Sequence, residues 1–272
     1  MSRKAKDKKI GIFDSGVGGL SVVAQILKKL PEEEIVYFGD TARYPYGPRS
    51  KEIIQKFSFQ NLRFLQTHEV KLIVVACNTA SAFALDKLKE NFDMPMVGVI
   101  EPGAKAAVAS TKTGRIGVIG TEGTINSQAY VKAINLINQD IRVFSSPCPL
   151  FVALAEEGYI HHKATFQIAE DYLKPFKNQK IDTLILGCTH YPLLKTVIDE
   201  VLEHKVTLID SGEQTALEVK RILADKNLFR EESQDRVHEY YVSDFPEKFI
   251  RVGEKFMGER IHNVQRINIE EY

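Results

Sequence analysis

The sequence predicts an α/β protein made of two similar halves, each an open parallel sheet, with a site in the cleft between them. Three observations predict this fold. Short runs rich in Val and Ile alternate with amphipathic stretches along the chain. Several of these runs are apolar at every position, which is typical of parallel strands covered on both faces. In addition, two motifs occur twice in the same order, about a hundred residues apart, which indicates two pseudo-symmetric halves.

The predicted strands come first, because their ends define where a site can form. Eight runs have strand character: KIGIF (9–13), EIVYF (34–38), VKLIVVA (70–76), MPMVGV (94–99), RIGVIG (115–120), DIRVF (140–144), DTLILG (182–187) and KVTLID (205–210). Strands that alternate with helices favour parallel sheets with crossover connections.

Amphipathic stretches between these runs predict the helices. The first helix ends before Pro31, and Ser50 is the expected N-cap of the second. The predicted helices are 20–30, 50–67, 80–91, 102–111, 125–138, 162–176, 191–203 and 213–225. After about residue 238 the pattern changes to a short strand, a helix and a strand.

Composition limits the class of protein. The 272 residues carry 36 Lys+Arg and 36 Asp+Glu, and 44% are hydrophobic, so neither a disordered chain nor a nucleic-acid module is expected. No apolar run reaches the roughly 18 residues of a membrane span, and no signal-peptide core follows the basic start. We therefore expect a cytoplasmic protein that binds neither membranes nor nucleic acid, with its three cysteines reduced.

The repeated motifs place polar residues at the carboxyl ends of strands. IGIFDSGVGG (10–19) resembles IGVIGTEGT (116–124), and LIVVACNTASA (72–82) resembles LILGCTHYPLL (184–194). Ligands of open parallel sheets collect at these ends, where helix N-termini present free N–H groups. Two facing halves would bring Cys77 to one side of a cleft and Cys188 to the other. The alternative is that a shared strand-then-glycine pattern arises by chance.

Cys77 and Cys188 are the central candidates. A cysteine in an apolar strand is often only a small hydrophobic residue, and we interpret Cys148 in this way. At a strand end before a helix, however, the helix N-terminus favours a thiolate. His190 could orient Cys188 or exchange protons with it. A metal site is not predicted, because tetrahedral zinc needs four ligands and no second pair is present.

Two thiols on opposite sides of a cleft suit the inversion of a stereocentre. A base on one face removes a proton and an acid on the other face returns one, so no cofactor is needed. Asp14 could adjust the pKa of one cysteine, and His190 with Glu156 that of the other. Polar groups at the strand ends could hold carboxylates: Ser15, Asn78, Thr79, Thr121, Thr124 and Thr189.

Two further segments have a functional and a structural interpretation. The loop Tyr44-Pro45-Tyr46-Gly47-Pro48 could face a substrate or form a rigid turn. Glu156 and Glu157 end a helical run, and the structural interpretation is a solvated helix end with Gly158 as its C-cap. Acidic residues at a helix C-terminus oppose its dipole, which hints at another use.

At these residues the sequence resembles the glutamate racemases, cofactor-independent bacterial enzymes that make D-glutamate for peptidoglycan. The resemblance extends from Ile10 to about Leu223. It rests on FDSGVGG (13–19), Gly39-Asp40 with PYG (45–47), VACNTAS (75–81), VIEPG (99–103), PLFVALAEEG (149–158) and GCTHYPLL (187–194).

The resemblance implies a role for each site residue. Cys77 would deprotonate D-glutamate with help from Asp14, and Cys188 would deprotonate L-glutamate with help from His190 and Glu156, which is favoured over Glu157. The implied substrate contacts are Asp14, Ser15, Tyr46, Gly47, Asn78, Thr79, Thr121, Thr124, Thr189 and His190.

The resemblance also implies an organisation for the whole chain. Residues 1–99 plus 211–272 would form the first domain, with Cys77, and residues 100–210 the second, with Cys188. The protein is expected to need no cofactor and no metal. It is expected to form a homodimer. Two alternatives stay open: a racemase for aspartate or another acidic amino acid, and a two-lobed protein that binds carboxylates without chemistry.

Overall fold

The computed structural model describes residues 4–231 and 236–272, and it contains two parallel sheets. The first sheet has six strands: β1 (Lys9–Asp14), β2 (Ile35–Gly39), β3 (Val70–Val75), β4 (Met96–Gly98), β9 (Glu239–Val242) and β10 (Val264–Arg266). Their order is β10-β9-β2-β1-β3-β4. The three central strands are fully buried, as their unbroken apolar sequences predicted.

The second sheet has four strands: β5 (Arg115–Gly120), β6 (Arg142–Pro147), β7 (Thr183–Gly187) and β8 (Thr207–Asp210). Their order, β6-β5-β7-β8, repeats the order β2-β1-β3-β4 of the first sheet. The repeated motifs lie on β1 and β5 and on β3 and β7, which are equivalent strands. The prediction of two similar parallel-sheet halves is therefore confirmed.

Eleven helices connect the described strands. They are α1 (Leu20–Lys29), α2 (Lys51–Gln66), α3 (Asn78–Asn91), α4 (Ile100–Ser110), α5 (Glu122–Asn126), α6 (Ala129–Ile137), α7 (Leu150–Glu157), α8 (Lys163–Asn178), α9 (Lys195–Val201), α10 (Ser211–Asp225) and α11 (Pro246–Met257). As predicted, Ser50 caps α2, where its side chain accepts a hydrogen bond from the Ile53 amide. None of the described helices is long and apolar enough to cross a bilayer.

Two predicted helices differ from the structure. The helix expected over 125–138 is divided into α5 and α6, because Gln128 adopts a left-handed conformation with φ 58°. Thr121 starts α5 earlier than predicted by accepting a hydrogen bond from the Thr124 amide. The helix expected over 191–203 begins as a 3₁₀ turn, Tyr191–Leu194, and becomes α-helical only in α9. Pro192, which lacks an N–H group, lies in that turn.

The apolar core joins the two sheets. One cluster extends from Ile12 and Val74 of the first sheet to Val118 and Ile185 of the second. Helices α1, α4, α6, α10 and α11 contribute further residues to this cluster. Two further clusters cover the opposite faces of the two sheets. With helices packed between them, the sheets present their carboxyl ends to a common cleft.

Candidate active site

A cavity of about 400 Å³ lies where the carboxyl ends of the two sheets meet. Cys77 and Cys188 both line it, and each is 6% exposed. The structure therefore brings the two predicted thiols into one space, each directly after a central strand of its sheet. The other lining residues from the predicted site are Ser15, Tyr46, Gly47, Asn78, Thr79, Thr121, Glu156, Thr189 and His190.

Cys77 is the N-cap of α3 and its thiol donates to Ser15 Oγ over 3.7 Å. Burial and the Asp14 carboxylate raise the pKa of Cys77 to about 12, although the Ala80 amide and Ser15 favour the thiolate. Cys77 is therefore protonated at neutral pH. In this state it can donate a proton.

Asp14 lies behind the cavity wall and is fully buried. Its Oδ2 accepts a hydrogen bond from the Gly16 amide over 2.9 Å. Burial raises the pKa of Asp14 above 3.8, while the charge of His190 and nearby amides oppose this shift. This placement suits an influence on Cys77 through charge better than direct contact with a ligand.

Cys188 has a different set of partners. Its Sγ lies 3.8 Å from His190 Nδ1, and His190 Nε2 lies 3.0 Å from Glu156 Oε1. Burial alone would lower the pKa of His190, but hydrogen bonds and charge from Cys188 and Glu156 outweigh burial and raise that pKa to about 10. His190 is thus an imidazolium at neutral pH, and it stabilises negative charge on the Cys188 sulfur.

Glu156, rather than Glu157, carries the carboxylate that reaches His190. Burial raises the pKa of Glu156, but His190, Tyr44 and Lys248 outweigh burial and lower it below 4.5. Glu156 is the penultimate residue of α7 and is buried, whereas Glu157 is exposed at the rim of the cavity. Gly158 ends α7 in a left-handed conformation, as the sequence predicted.

Hydroxyl and amide groups gather on the Cys77 side of the cavity. The Oγ1 atoms of Thr79, Thr121 and Thr124 lie 2.9–3.2 Å from one another and join α3 of the first half to α5 of the second. Thr124 is almost fully buried behind the other two. Asn78 Oδ1 accepts from the Tyr130 hydroxyl over 2.7 Å, whereas Asn78 Nδ2 is buried without a hydrogen-bond partner. An unpaired donor in a cavity wall is suited to an anionic ligand.

The loop after β2 contacts both the core of the first half and the cavity. The Tyr46 side chain is buried and its hydroxyl donates to Asp40, so its ring holds the loop in place. Gly47 lines the cavity, and its carbonyl accepts a hydrogen bond from the Gly123 amide over 3.0 Å. Its lack of a side chain allows the loop to approach Thr121 closely.

Two residues that contact the site were not among the predicted site residues. Tyr44 lines the cavity, packs 6.2 Å from the His190 ring and hydrogen-bonds to Glu156. The aromatic loop was a signal for Tyr44, but it did not indicate which tyrosine faces the site. Lys248, whose Nζ lies 3.5 Å from Glu156 Oε2, had no signal because α11 is distant in sequence from every motif.

Cys148 lies outside the cavity, in the core of the second half. It is fully buried, and its Sγ lies 3.8 Å from the Ser146 carbonyl oxygen. Among the residues that the structure describes, no group of three or more His, Cys, Asp or Glu side chains is arranged to hold a metal ion.

The chain is similar to known proteins over most of its length. A family model described as Asp/Glu/Hydantoin racemase matches residues 10–219. The chain is 52% identical to the glutamate racemase of Geobacter metallireducens over 97% of each chain. It superposes on glutamate racemase RacE1 of Bacillus anthracis with a TM-score of 0.93 and 42% identity, over 96% of this chain and 98% of the other.

A second solved structure contains a ligand. The glutamate racemase of Francisella tularensis in complex with D-glutamate superposes with a TM-score of 0.92 and 40% identity, covering 98% of this chain and all of the other. The match of the family model and the identity over nearly the full length agree with each other. The chain therefore belongs to the Asp/Glu/Hydantoin racemase family.

Proposed function

We propose that the protein interconverts L- and D-glutamate by moving the Cα proton between two thiols, without a cofactor. The observation that carries this proposal is one cavity lined by two cysteines, each of which has its own polarising groups. A single nucleophilic thiol would need one such set. Two sets on opposite sides of a cavity suit a reaction in which a proton leaves one face of a carbon and arrives at the other.

In the direction from L- to D-glutamate, the Cys188 thiolate is the base. The Cα–H bond breaks, its proton forms an S–H bond on Cys188, and the electron pair stays at Cα. The Cys77 thiol then gives its proton to the opposite face of Cα. Cys77 is left as a thiolate, and it is the base in the reverse direction.

The different partners of the two thiols support this starting state. Burial and Asp14 keep Cys77 protonated, as a donor must be. Next to Cys188, the His190 imidazolium supplies the positive charge that a thiolate needs. Glu156 supports this imidazolium through its hydrogen bond to Nε2.

The proposed substrate contacts lie between the thiols. Asn78 Nδ2 has an unused donor, and the hydroxyls of Ser15, Thr79, Thr121 and Thr189 line the same cavity. These groups can hold the two carboxylates of glutamate. Thr124 and Tyr46 support this wall from behind, through Thr79 and the loop after β2.

Glutamate is favoured over aspartate as substrate. The curated relatives with 44–52% identity are named glutamate racemases, and the Francisella tularensis structure contains D-glutamate. The structures of an aspartate racemase and an aspartate racemase homologue are only 18–20% identical, which supports a common fold alone. The ratio of kcat/KM for glutamate to that for aspartate distinguishes the two substrates, and a ratio below one would favour aspartate.

The remaining proposals concern the whole protein. We propose that it acts in the cytoplasm as a homodimer and supplies D-glutamate for peptidoglycan. We also propose that residues 1–99 with 211–272 form one domain and residues 100–210 the other. In support, the first sheet draws its strands from both ends of the chain, and the second sheet from the middle.

The deciding experiment is incubation of the cofactor-free protein with L-glutamate in heavy water. Optical rotation and deuterium at Cα are followed together. Loss of rotation with deuterium at Cα supports proton-transfer racemisation. If aspartate racemises and glutamate does not, the proposal of glutamate as the substrate is wrong. If calorimetry shows glutamate binding without exchange at Cα, the protein only binds carboxylates.

The three cysteines provide matched variants for this experiment. We expect Cys77→Ala and Cys188→Ala each to lower racemisation by at least about a thousandfold, because each removes one of the two proton carriers. Cys148→Ala removes a fully buried thiol outside the cavity, and we expect it to keep most of the activity in the folded fraction. Full activity in either of the first two variants would contradict the assignment of two bases.

A further inference from the structure

Helix α11 contacts the pair formed by Glu156 and His190 from the other side of the cleft. It precedes β10 and packs against α1 of the first half, whereas α7 and His190 belong to the second. Lys255 Nζ donates to the Glu156 carbonyl oxygen over 3.1 Å. Lys248 Nζ lies 3.5 Å from Glu156 Oε2. The Phe256 ring meets the His190 ring edge-on, with centroids 5.5 Å apart.

These contacts come from one face of α11. Lys248 and Lys255 are seven residues apart, which is close to two helical turns and places both side chains on the same side. Phe256 follows directly and is buried against the same part of the second half. A single helix face therefore meets Glu156 at its main chain and its side chain.

The end of α7 is shaped to receive Lys255. The last carbonyl groups of a helix have no partner within the helix, and a cation there is favoured by the helix dipole. Gly158 continues the chain with φ 80°, and a Cβ atom at this position would lie only 2.9 Å from Lys255 Nζ. The missing side chain thus leaves room for the ammonium group that binds the Glu156 carbonyl.

The two oxygens of the Glu156 carboxylate have different partners. Oε1 contacts His190 Nε2 over 3.0 Å, and Oε2 faces Lys248. Lys248 also borders a neighbouring cavity of about 280 Å³, which Tyr44 and Glu156 separate from the one that contains the thiols. Lys248 does not line the cavity that contains the thiols, and it reaches the Cys188 side through its contact with Glu156.

We propose that Lys248 and Lys255 are positioning residues for the Cys188 half of the reaction. Lys255 fixes the main chain of Glu156 and Lys248 fixes its free oxygen, so that Oε1 stays on His190. Because both lysines come from across the cleft, this support exists only while the two halves are together. The inference rests on the proposed racemisation, since Cys188 is assigned its role there.

The test removes each ammonium group and keeps the aliphatic stem. Lys248→Met, Lys255→Met and, as a control, Arg251→Met are compared in the full-length protein. Arg251 is an exposed cation on the same helix, so the control makes the same change in net charge. We expect each lysine variant to lower kcat about threefold to tenfold with little change in KM, Lys255→Arg to recover part of the loss, and Arg251→Met to match the wild type.

Two readouts separate positioning from general stability. In a Glu156→Gln background, the lysine substitutions should have almost no further effect on kcat, because the carboxylate that both lysines keep on His190 is already absent. Alkylation by iodoacetamide, followed by mass spectrometry, should slow at Cys188 and not at Cys77. A full effect in the Glu156→Gln background, or equal slowing at both cysteines, would overturn the proposal. If the wild type does not racemise glutamate, the proposed function fails, while the alkylation rates still test the lysines.

Discussion

At the scale of single residues, the two thiols are chemically unequal although the sheets that carry them are alike. Cys77 has the neutral Ser15 hydroxyl at 3.7 Å and a buried carboxyl group nearby. Cys188 has an imidazolium supported by Glu156. The first thiol is thus held in its acid form, whereas the second has a positive charge beside it. A racemase needs this difference at the start of each turnover, and it must be able to exchange the two states.

The neighbouring glutamates give a matched test of this arrangement. We expect Glu156→Gln to lower kcat by about a hundredfold, because a neutral amide no longer supports the charge on His190. Glu157→Gln changes the same functional group one residue further on, at the exposed rim of the cavity, and we expect a loss within about threefold. Steady-state kinetics with L-glutamate measures both. Equal losses in the two variants would remove the special role of Glu156.

Residue by residue, the sequence predicted the parts of the site that follow strands. Cys77, Cys188 and His190 could be found because the carboxyl ends of parallel strands converge in every fold of this kind. Lys248 and Lys255 could not be found, since they are ordinary exposed lysines on a helix until tertiary packing brings them to Glu156. Periodicity indicates which side of a helix is buried but not which distant residue it meets.

At the scale of elements, the buried strands were the easiest to predict and the helix starts were harder. The central strands β1, β3, β5 and β7 lie within a residue of their predicted bounds, because their apolar runs have only one plausible environment. The break between α5 and α6 depends on one residue, Gln128. It adopts a left-handed conformation that a glutamine side chain does not predict. The backbone conformation at such a residue is determined by the packing around it.

The turn between β1 and α1 packs tightly against the second half. Gly18 lies against Thr189 and His190, and a Cβ atom added to it would lie 2.5 Å from His190 Cε1. We therefore expect Gly18→Ala to displace His190 and lower kcat at least about tenfold, with a loss of stability of about 1–3 kcal/mol from overpacking.

A second glycine serves as the control for this substitution. Gly103 lies inside α4, where an added Cβ would meet neighbours at 3.4 Å or more, which is ordinary contact. Gly103→Ala should be neutral or stabilise the protein by about 0.5–1 kcal/mol, as alanine does within helices. Racemisation rates and thermal unfolding of both variants give the comparison. An active Gly18→Ala protein would show that the turn and His190 have room to move apart.

At the scale of the whole molecule, the shared strand order explains both the repeat in the sequence and the position of the cavity. The orders β2-β1-β3-β4 and β6-β5-β7-β8 place equivalent strand ends, those of β3 and β7, before the two cysteines. The C-terminal segment adds β9, β10 and α11 to the first half only. The symmetry is therefore broken on the side where α11 contacts Glu156.

The pair formed by His190 and Glu156 also links the stability of the whole molecule to pH. The pKa of His190 is raised from 6.5 to about 10 in the folded protein, so its contribution to stability is fully present below pH 6.5 and is lost as pH rises through about 10. The pKa of Glu156 is lowered from 4.5, so its contribution is present above pH 4.5 and is lost as pH falls through its folded pKa. The pair therefore contributes most to stability between pH 4.5 and pH 6.5.

The difference in unfolding free energy between the wild type and Glu156→Gln isolates this contribution. We expect it to be about 2 kcal/mol near pH 6, where a charge-assisted hydrogen bond is lost in the variant, and to shrink steadily towards pH 10 as His190 loses its proton in the folded wild type. Urea unfolding at a series of pH values measures this difference in free energy. Glu157→Gln is the control, and its difference from the wild type should not change with pH. A difference for Glu156→Gln that is constant or grows with pH would mean that His190 is neutral in the folded protein, and Cys188 would then have to form its thiolate without the imidazolium.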